Sequence, residues 1–162
     1  MITIREAHDD EIDQLIPLLL LAEPSERALR WGLSHLSDAV YRMDEDDQLV
    51  GAASIQWRED PCEIEELAIV PERQGQGLGR QFVTWIIAEA RQRGKCRLFV
   101  GTPNSNITAI IFYQKCGMRM DHIRQDYFWY YREPVYENDI QAQDMLVFRY
   151  DLVPVPPRKR SW

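Results

Sequence analysis

Hydrophobic positions along the chain follow two rhythms, and the switches between them mark out its elements. Thr3 to Ala7 alternates and predicts a first strand. Ile12, Leu15, Ile16, Leu19 and Leu20 then recur at three- and four-residue spacing, the stripe of a helix for which Asp9 or Asp10 is a candidate cap. Pro17 inside that stripe predicts a kink or a break in register. Leu18 to Leu21 is apolar all round, so that end is expected to be buried on more than one side. A second helix is expected over Ser25 to Leu36, with Leu29, Leu33 and Leu36 on one side and Trp31 and His35 as its notable side chains. A lone histidine there reads first as a surface or capping residue. Ala39 to Met43 and Leu49 to Trp57 read as strands around an acidic hairpin tip, DEDDQ.

The stretch from Glu63 to Val83, EIEELAIVPERQGQGLGRQFV, organises the rest. Its first part is an alternating, branched strand that Pro71 stops, because proline has no N–H for a ladder. Strict alternation would put Glu63, Glu65, Leu67 and Ile69 on one face and Ile64, Glu66, Ala68 and Val70 on the other. Gly75, Gly77 and Gly79 follow, and then Leu78, Phe82, Val83, Ile86, Ile87 and Ala90 at helical spacing. The order is strand, glycine loop, helix. Such a loop brings backbone close to a ligand, and a helix start offers unpaired N–H groups and a partial positive charge, so the stretch predicts an anion site, most simply for phosphate. The pattern G-x-x-x-x-G-K-[ST] is absent, and G-x-G-x-x-G fails from either Gly75 or Gly77, since the third position falls on Arg80 or Phe82.

What remains is Q-x-x-G-x-G, as Gln74, Gly77 and Gly79, preceded by LAIVPE. This resembles motif A of the GCN5-related N-acetyltransferase (GNAT) superfamily. Residues 106–118, NITAIIFYQKCGM, are similar to its motif B, N-x-x-A-x-x-x-Y-x-K-x-G-F, with Met118 in place of the usual Phe. Asn106 and Tyr113 are two helical turns apart, so they share a face with Ala109 between them. A predicted strand, Arg97 to Val100, separates the two motifs.

The resemblance implies an α/β fold, a GNAT-like mixed and mostly antiparallel sheet of about seven strands with helices on both faces. It implies acetyl-CoA as co-substrate and direct transfer of its acetyl group to a primary amine in a ternary complex. Cofactor contacts carried over by it are Gln74, Gly75, Gln76, Gly77, Gly79 and Arg80 at the pyrophosphate, the backbone of Ile69 and Val70 at the pantetheine arm, and Asn106, which would bond that arm or cap its own helix. Gln74 stands where Arg is commoner; Arg73 or Arg80 are the residues that would restore the charge. Tyr113 is the expected general acid at the sulfur, and Glu65 or Glu63 the expected base, directly or through water. The early helical pair and the last strands would border the acceptor. Lys115 is expected on the exposed side of its helix.

After motif B the chain carries YFWYY at 127–131, flanked by Asp126 and Arg132. Two readings stay open, a cation-holding wall for a substrate, with Asp126 or Glu133 nearby, or an aromatic edge strand packed on the core or on a second subunit. A last strand is expected over Met145 to Leu152, and the proline-rich then basic end as an extended or disordered tail. Residues 1–153 read as one acetyltransferase domain and 154–162 as the tail.

Composition narrows the partners. At 162 residues the chain suits one domain. No apolar run approaches the ~20 residues of a membrane span and the acidic start is unlike a targeting peptide, so the expectation is cytoplasmic, without a membrane partner. A net charge of −7 argues against nucleic acid and mildly favours amines. Cys62, Cys96 and Cys116 lack C-x-x-C spacing, which argues against a disulfide framework and against a metal site. The acceptor is expected to be a small-molecule amine or a protein or peptide amine, and a homodimer sealed by aromatic surface is compatible with the resemblance. The competing readings are a catalytically silent acyl-CoA-binding or regulatory domain and an unrelated α/β phosphate-binding module.

Overall fold

The computed structural model describes residues 1–156. Seven strands form one sheet: β1 (Ile2–Glu6), β2 (Ala39–Glu45), β3 (Gln48–Gln56), β4 (Cys62–Ile69), β5 (Arg97–Pro103), β6 (Arg119–Arg124) and β9 (Met145–Asp151), with β7 (Tyr136–Glu137) and β8 (Ile140–Gln141) as a separate small hairpin. The order across the sheet is β1-β2-β3-β4-β5-β9-β6, and every pairing is antiparallel except β4 with β5. Four α-helices complete the fold: α1 (Ile12–Leu19), α2 (Glu26–His35), α3 (Leu78–Gln92) and α4 (Ile107–Lys115).

The sheet is covered on both faces. On one, Phe82, Val83, Ile86 and Ala90 of α3 and Tyr113 of α4 pack against Met43, Ile55, Ile64, Leu98 and Phe148. On the other, Leu15, Ile16, Leu18 and Leu19 of α1 and Leu29 of α2 cover Val40, Ala52 and Ala68. Each fully buried large aliphatic or aromatic side chain contributes roughly 1.5–3 kcal/mol by leaving water.

Most of the expected elements are present with ends shifted by a few residues. Pro17 is accommodated inside α1. The capping of α1 differs from expectation: the chain enters through a short 3₁₀ turn at Asp9–Glu11, and the Glu11 carboxylate, not Asp9 or Asp10, turns back to accept the His8 N–H at 2.8 Å. Ser25 caps α2 by accepting the Ala28 N–H at 3.2 Å. His35 donates its Nδ1–H to the Trp31 carbonyl and stacks on the Trp31 ring, so it is a local helix-end residue. The aromatic run is no strand at all. Residues 127–130 lie in consecutive turns, and the added strand beside β9 is Arg119–Arg124, whose mixed RMDHIR carries no period-2 apolar signal. Of the expected tail, 157–162 lie outside the described residues.

Two irregularities on β4 decide where the site is. Ser54 of β3 faces Glu66 while Ile55 faces Ile64, so Glu65 is an extra residue, a β-bulge. Beyond that point β4 and β5 part. They pair only at Cys62–Leu98, Glu63–Phe99 and Ile64–Val100, after which β5 continues solely along β9. At Gly101 of β5 the Met145 side chain lies across the position a Cβ would take, so a larger residue there would displace it.

Candidate active site

The gap leaves backbone groups of β4 without a strand partner. Val70 donates its N–H to the Val50 carbonyl at 2.9 Å, and alternation then turns the N–H and C=O of Leu67 and Ile69 away from β3, into the gap. Of the two residues expected to offer backbone here, Ile69 therefore does so and Val70 gives its N–H to the sheet. The Ile69 carbonyl is met by the Gln74 side chain at 3.0 Å, which ties the loop to the strand end.

Past Pro71 the chain makes a short 3₁₀ turn and enters the loop. Gly75 and Gly77 have φ of +74° and +85°, the left-handed region where a Cβ is costly, and Gly77 is the residue from which α3 starts. Gly79 serves a different need. A Cβ on it would stand 3.1 Å from the Phe112 ring, so its absence lets α4 lie close against the start of α3. Among the described residues no acceptor takes the backbone N–H groups from Gly75 to Arg80; the first bond beyond them is from the Gln81 N–H to the Gly77 carbonyl. A run of unpaired donors at the positive end of a 15-residue helix is the arrangement that phosphate oxygens satisfy, so the loop fits a pyrophosphate. Gln76 and Arg73 bond to each other at 2.9 Å and Arg73 pairs with Glu45, which leaves exposed Arg80 as the nearer cation for a phosphate.

At the other end of β4 a cavity of about 1130 Å³ opens on the α2 side of the sheet. Its floor is Glu63, Ile64, Glu65 and Glu66; one wall is the segment before α2 with Glu23 and Trp31, and the other is the turn carrying Tyr127 to Tyr131. The bulge overturns the alternation expected for the acidic residues. Ile64, Leu67 and Ile69 pack toward α3, whereas Glu63, Glu65 and Glu66 all reach the cavity. Glu63 is held by Arg124 through two bonds, at 2.8 and 3.1 Å. Among the described residues Glu65 has no cation partner, and burial, with Glu63 and Glu66 close by, pushes its pKa up to about 8. Burial likewise raises Glu66 to about 7, although the Ser54 hydroxyl donates to it.

Tyr113 stands apart from that cavity. It projects from α4 into the core beside Phe112 and Phe148, with ring centroids 5.1 and 5.9 Å away, and burial pushes its phenol well above the usual range, so it holds its proton. Asn106 caps α4, accepting the Ala109 N–H at 3.0 Å. Lys115 is exposed, as its position off the Asn106–Tyr113 face predicts. The cysteines are free, and among the described residues no cluster of histidines, cysteines and carboxylates is placed to hold a metal. No described helix is long and apolar enough to cross a membrane.

Three features of the site were beyond sequence reasoning: the face that Glu66 takes, the contact between Glu23 and Tyr130, and the gap-facing backbone of Leu67. Glu66 was assigned to the wrong face because a bulge has no signature in EIEEL. Glu23 and Tyr130, joined by a 2.7 Å hydrogen bond, are 107 residues apart and meet only in the fold. Leu67 shares the gap with Ile69 by a parity that depends on which β4 residues bond to β3.

A sheet opened between two parallel strands, with a loop of free N–H groups past one end of the gap and an acidic cavity at the other, defines a two-substrate α/β site. The chain belongs to the acetyltransferase (GNAT) family, whose profile matches residues 6–118. It is 34% identical over 149 residues to the uncharacterized N-acetyltransferase YvbK of Bacillus subtilis, covering 91% of this chain and 95% of that one. A GNAT family acetyltransferase from Elizabethkingia anophelis, solved with acetyl-CoA bound, superposes with a TM-score of 0.83 at 30% identity, over 93% and 97% of the two chains. A Bacillus subtilis acetyltransferase in complex with CoA gives 0.84 at 32% identity, over 94% and 100%. The [ribosomal protein bS18]-alanine N-acetyltransferase of Escherichia coli is 28% identical over 88 residues, 54% of this chain and 60% of that one.

Proposed function

We propose that residues 1–153 form one acetyltransferase domain that moves an acetyl group from acetyl-CoA to a primary amine by direct transfer in a ternary complex. The observation that carries this reading is the parting of β4 from β5 after Ile64, with the Leu67 and Ile69 backbone turned into the gap and the unpaired N–H groups of Gly75 to Arg80 beyond it. Solved relatives at 30% and 32% identity hold acetyl-CoA or CoA, which supports the same cofactor here.

Bound acetyl-CoA supplies an acetyl group on a thioester; a C–N bond to the acceptor replaces the C–S bond, and a free thiol leaves. The chain's own part is positioning and proton handling. Gap-facing N–H groups on β4 are donors for the arm and for the carbonyl that gains charge, and a well-aimed donor of this kind is worth several kcal/mol. An amine must lose a proton to attack. Glu65 and Glu66, with pKa values raised to about 8 and 7, are poised near neutrality to take it, directly or through water, while Glu63 is engaged by Arg124. Glu66 thereby joins Glu65 as a candidate base. Tyr113, kept neutral by its burial, is the candidate proton donor to the departing sulfur.

Steady-state assay of thiol release, with calorimetric titration of acetyl-CoA, tests the assignment. Tyr113→Phe is expected to lower kcat about a hundredfold with acetyl-CoA affinity unchanged. Wild-type turnover in that variant would remove Tyr113 from the mechanism, and binding without thiol release for any amine would favour a silent acyl-CoA-binding domain.

A further inference from the structure

The cavity above the β4 bulge has a composition that the transfer of an acetyl group to an amine does not by itself require. Three of its carboxylates, Glu23, Glu65 and Glu66, have no Lys, Arg or His within ion-pair distance among the described residues. The arginines around the cavity do not pair with these three carboxylates. Arg124 is taken by Glu63, and Arg58 by Asp38 at 2.6 Å; Arg27 and Arg132 line the cavity but are exposed. Burying carboxylates without a counter-charge is costly, and the raised pKa values of Glu65 and Glu66 record that cost.

The acidic groups are arranged in two places. Glu65 and Glu66 lie on the floor, at the point where β4 and β5 begin to part. Glu23 lies on the wall before α2, fixed by the Ser25 N–H at 3.0 Å and by the Tyr130 hydroxyl at 2.7 Å. Tyr130 and Tyr131 stand beside Glu23, and Trp31 and Tyr127 line the same cavity; aromatic ring faces of this kind attract cations. The Tyr130–Glu23 bond also joins the aromatic turn to the segment before α2, so the cavity is walled on both sides, a shape suited to a small molecule.

We infer that the acceptor is a small polycationic amine carrying at least two amino groups, one presented to Glu65 and Glu66 for acetylation and a second held as an ammonium by Glu23 and the surrounding aromatic rings. This rests on the acetyltransferase reading above. The two-place arrangement is what separates such a substrate from a simple monoamine, which would satisfy only the floor. A peptide N-terminus would bring a chain of amide groups into a cavity whose walls offer carboxylates and rings. Linear polyamines and amino-sugar compounds share the required chemistry, and the assay distinguishes them.

The experiment is initial-rate thiol release by the full chain with acetyl-CoA and five acceptors: spermidine, 1,4-diaminobutane, kanamycin, n-butylamine and a hexapeptide beginning with a free alanine. The expected result is that spermidine or kanamycin exceeds n-butylamine and the peptide in kcat/KM by about a hundredfold or more, which of the two leads naming the source. Glu23→Gln is expected to narrow the polyamine-to-butylamine ratio about tenfold, chiefly through KM, with the acetyl-CoA titration unchanged as a check on folding. Equal rates for butylamine and the polycations, or a preference for the peptide, would overturn the inference while leaving the acetyltransferase reading intact. Absence of acetyl-CoA binding would overturn both.

Discussion

The glycine loop and the acidic cavity lie at opposite ends of β4, yet they are made of different material. The loop is backbone from one contiguous stretch, Ile69 to Arg80, and its chemistry is the run of N–H groups from Gly75 to Arg80 that no acceptor takes among the described residues. The cavity is side chains from separated segments: Glu23 before α2, Glu65 and Glu66 on β4, and Tyr127 to Tyr131 after β6. A backbone site tolerates almost any side chain but demands particular φ angles, so it fixes glycines at particular spacings. A side-chain site makes no such demand locally, since each segment needs only to arrive. The difference predicts that damage to the loop falls on cofactor binding whatever the acceptor, and that damage to the cavity falls on proton handling and acceptor choice.

The largest effect should come from the loop. Gly77→Asp puts a carboxylate where the phosphates would approach, on a residue at φ +85° whose Cβ meets nothing within 4 Å. Acetyl-CoA affinity should fall about a hundredfold or more, roughly 3 kcal/mol, while unfolding free energy drops by only about 1–2 kcal/mol from the left-handed backbone. Retained affinity in a calorimetric titration would mean that the loop is a helix cap and nothing more.

A smaller effect, on stability, should come from the cavity. The folded pKa of Glu65 is raised, so the native state holds a proton that the unfolded chain releases near its ordinary value of 4.5. The stability this carboxyl contributes is therefore fully present below about pH 4.5 and is lost as pH rises toward about 8. Glu65→Gln removes the burden of ionisation. Relative to the parent, its Tm should rise by about 2–4 °C at pH 8.5, corresponding to about 1 kcal/mol in a chain of this size, and differ little at pH 5. A variant equally shifted at both values would show that Glu65 titrates normally and is solvated.

How much of this could be read in the sequence follows the same division. The strand–loop–helix run at the centre was legible because Pro71, three glycines and a helical stripe each encode their own local structure. The neighbouring strands β2 and β3, buried on both faces along most of their length, were legible as apolar runs on either side of the acidic turn DEDDQ. Arg119–Arg124 was not, because an edge strand exposed along nearly its whole length has no apolar face to betray it. YFWYY looked strand-like for its β-favouring residues, yet its rings cluster on one another and on Glu23 through turns. Glu65 was named as an expected base on a face shared with Leu67 and Ile69, and the bulge separates it from them, since one inserted residue exchanges the faces of everything beyond it. Tyr113 was singled out by the motif B resemblance of residues 106–118, and the structure adds that its phenol is buried beside Phe148.

The central claim is that the unpaired backbone of β4 and its loop holds acetyl-CoA. Amide hydrogen exchange, resolved by residue and compared with and without acetyl-CoA, addresses it most directly. The account predicts slowed exchange at Leu67, Ile69 and Gly75 to Arg80, with Val70, already bonded to Val50, little changed. Bound cofactor that left those amides exchanging as before would contradict it.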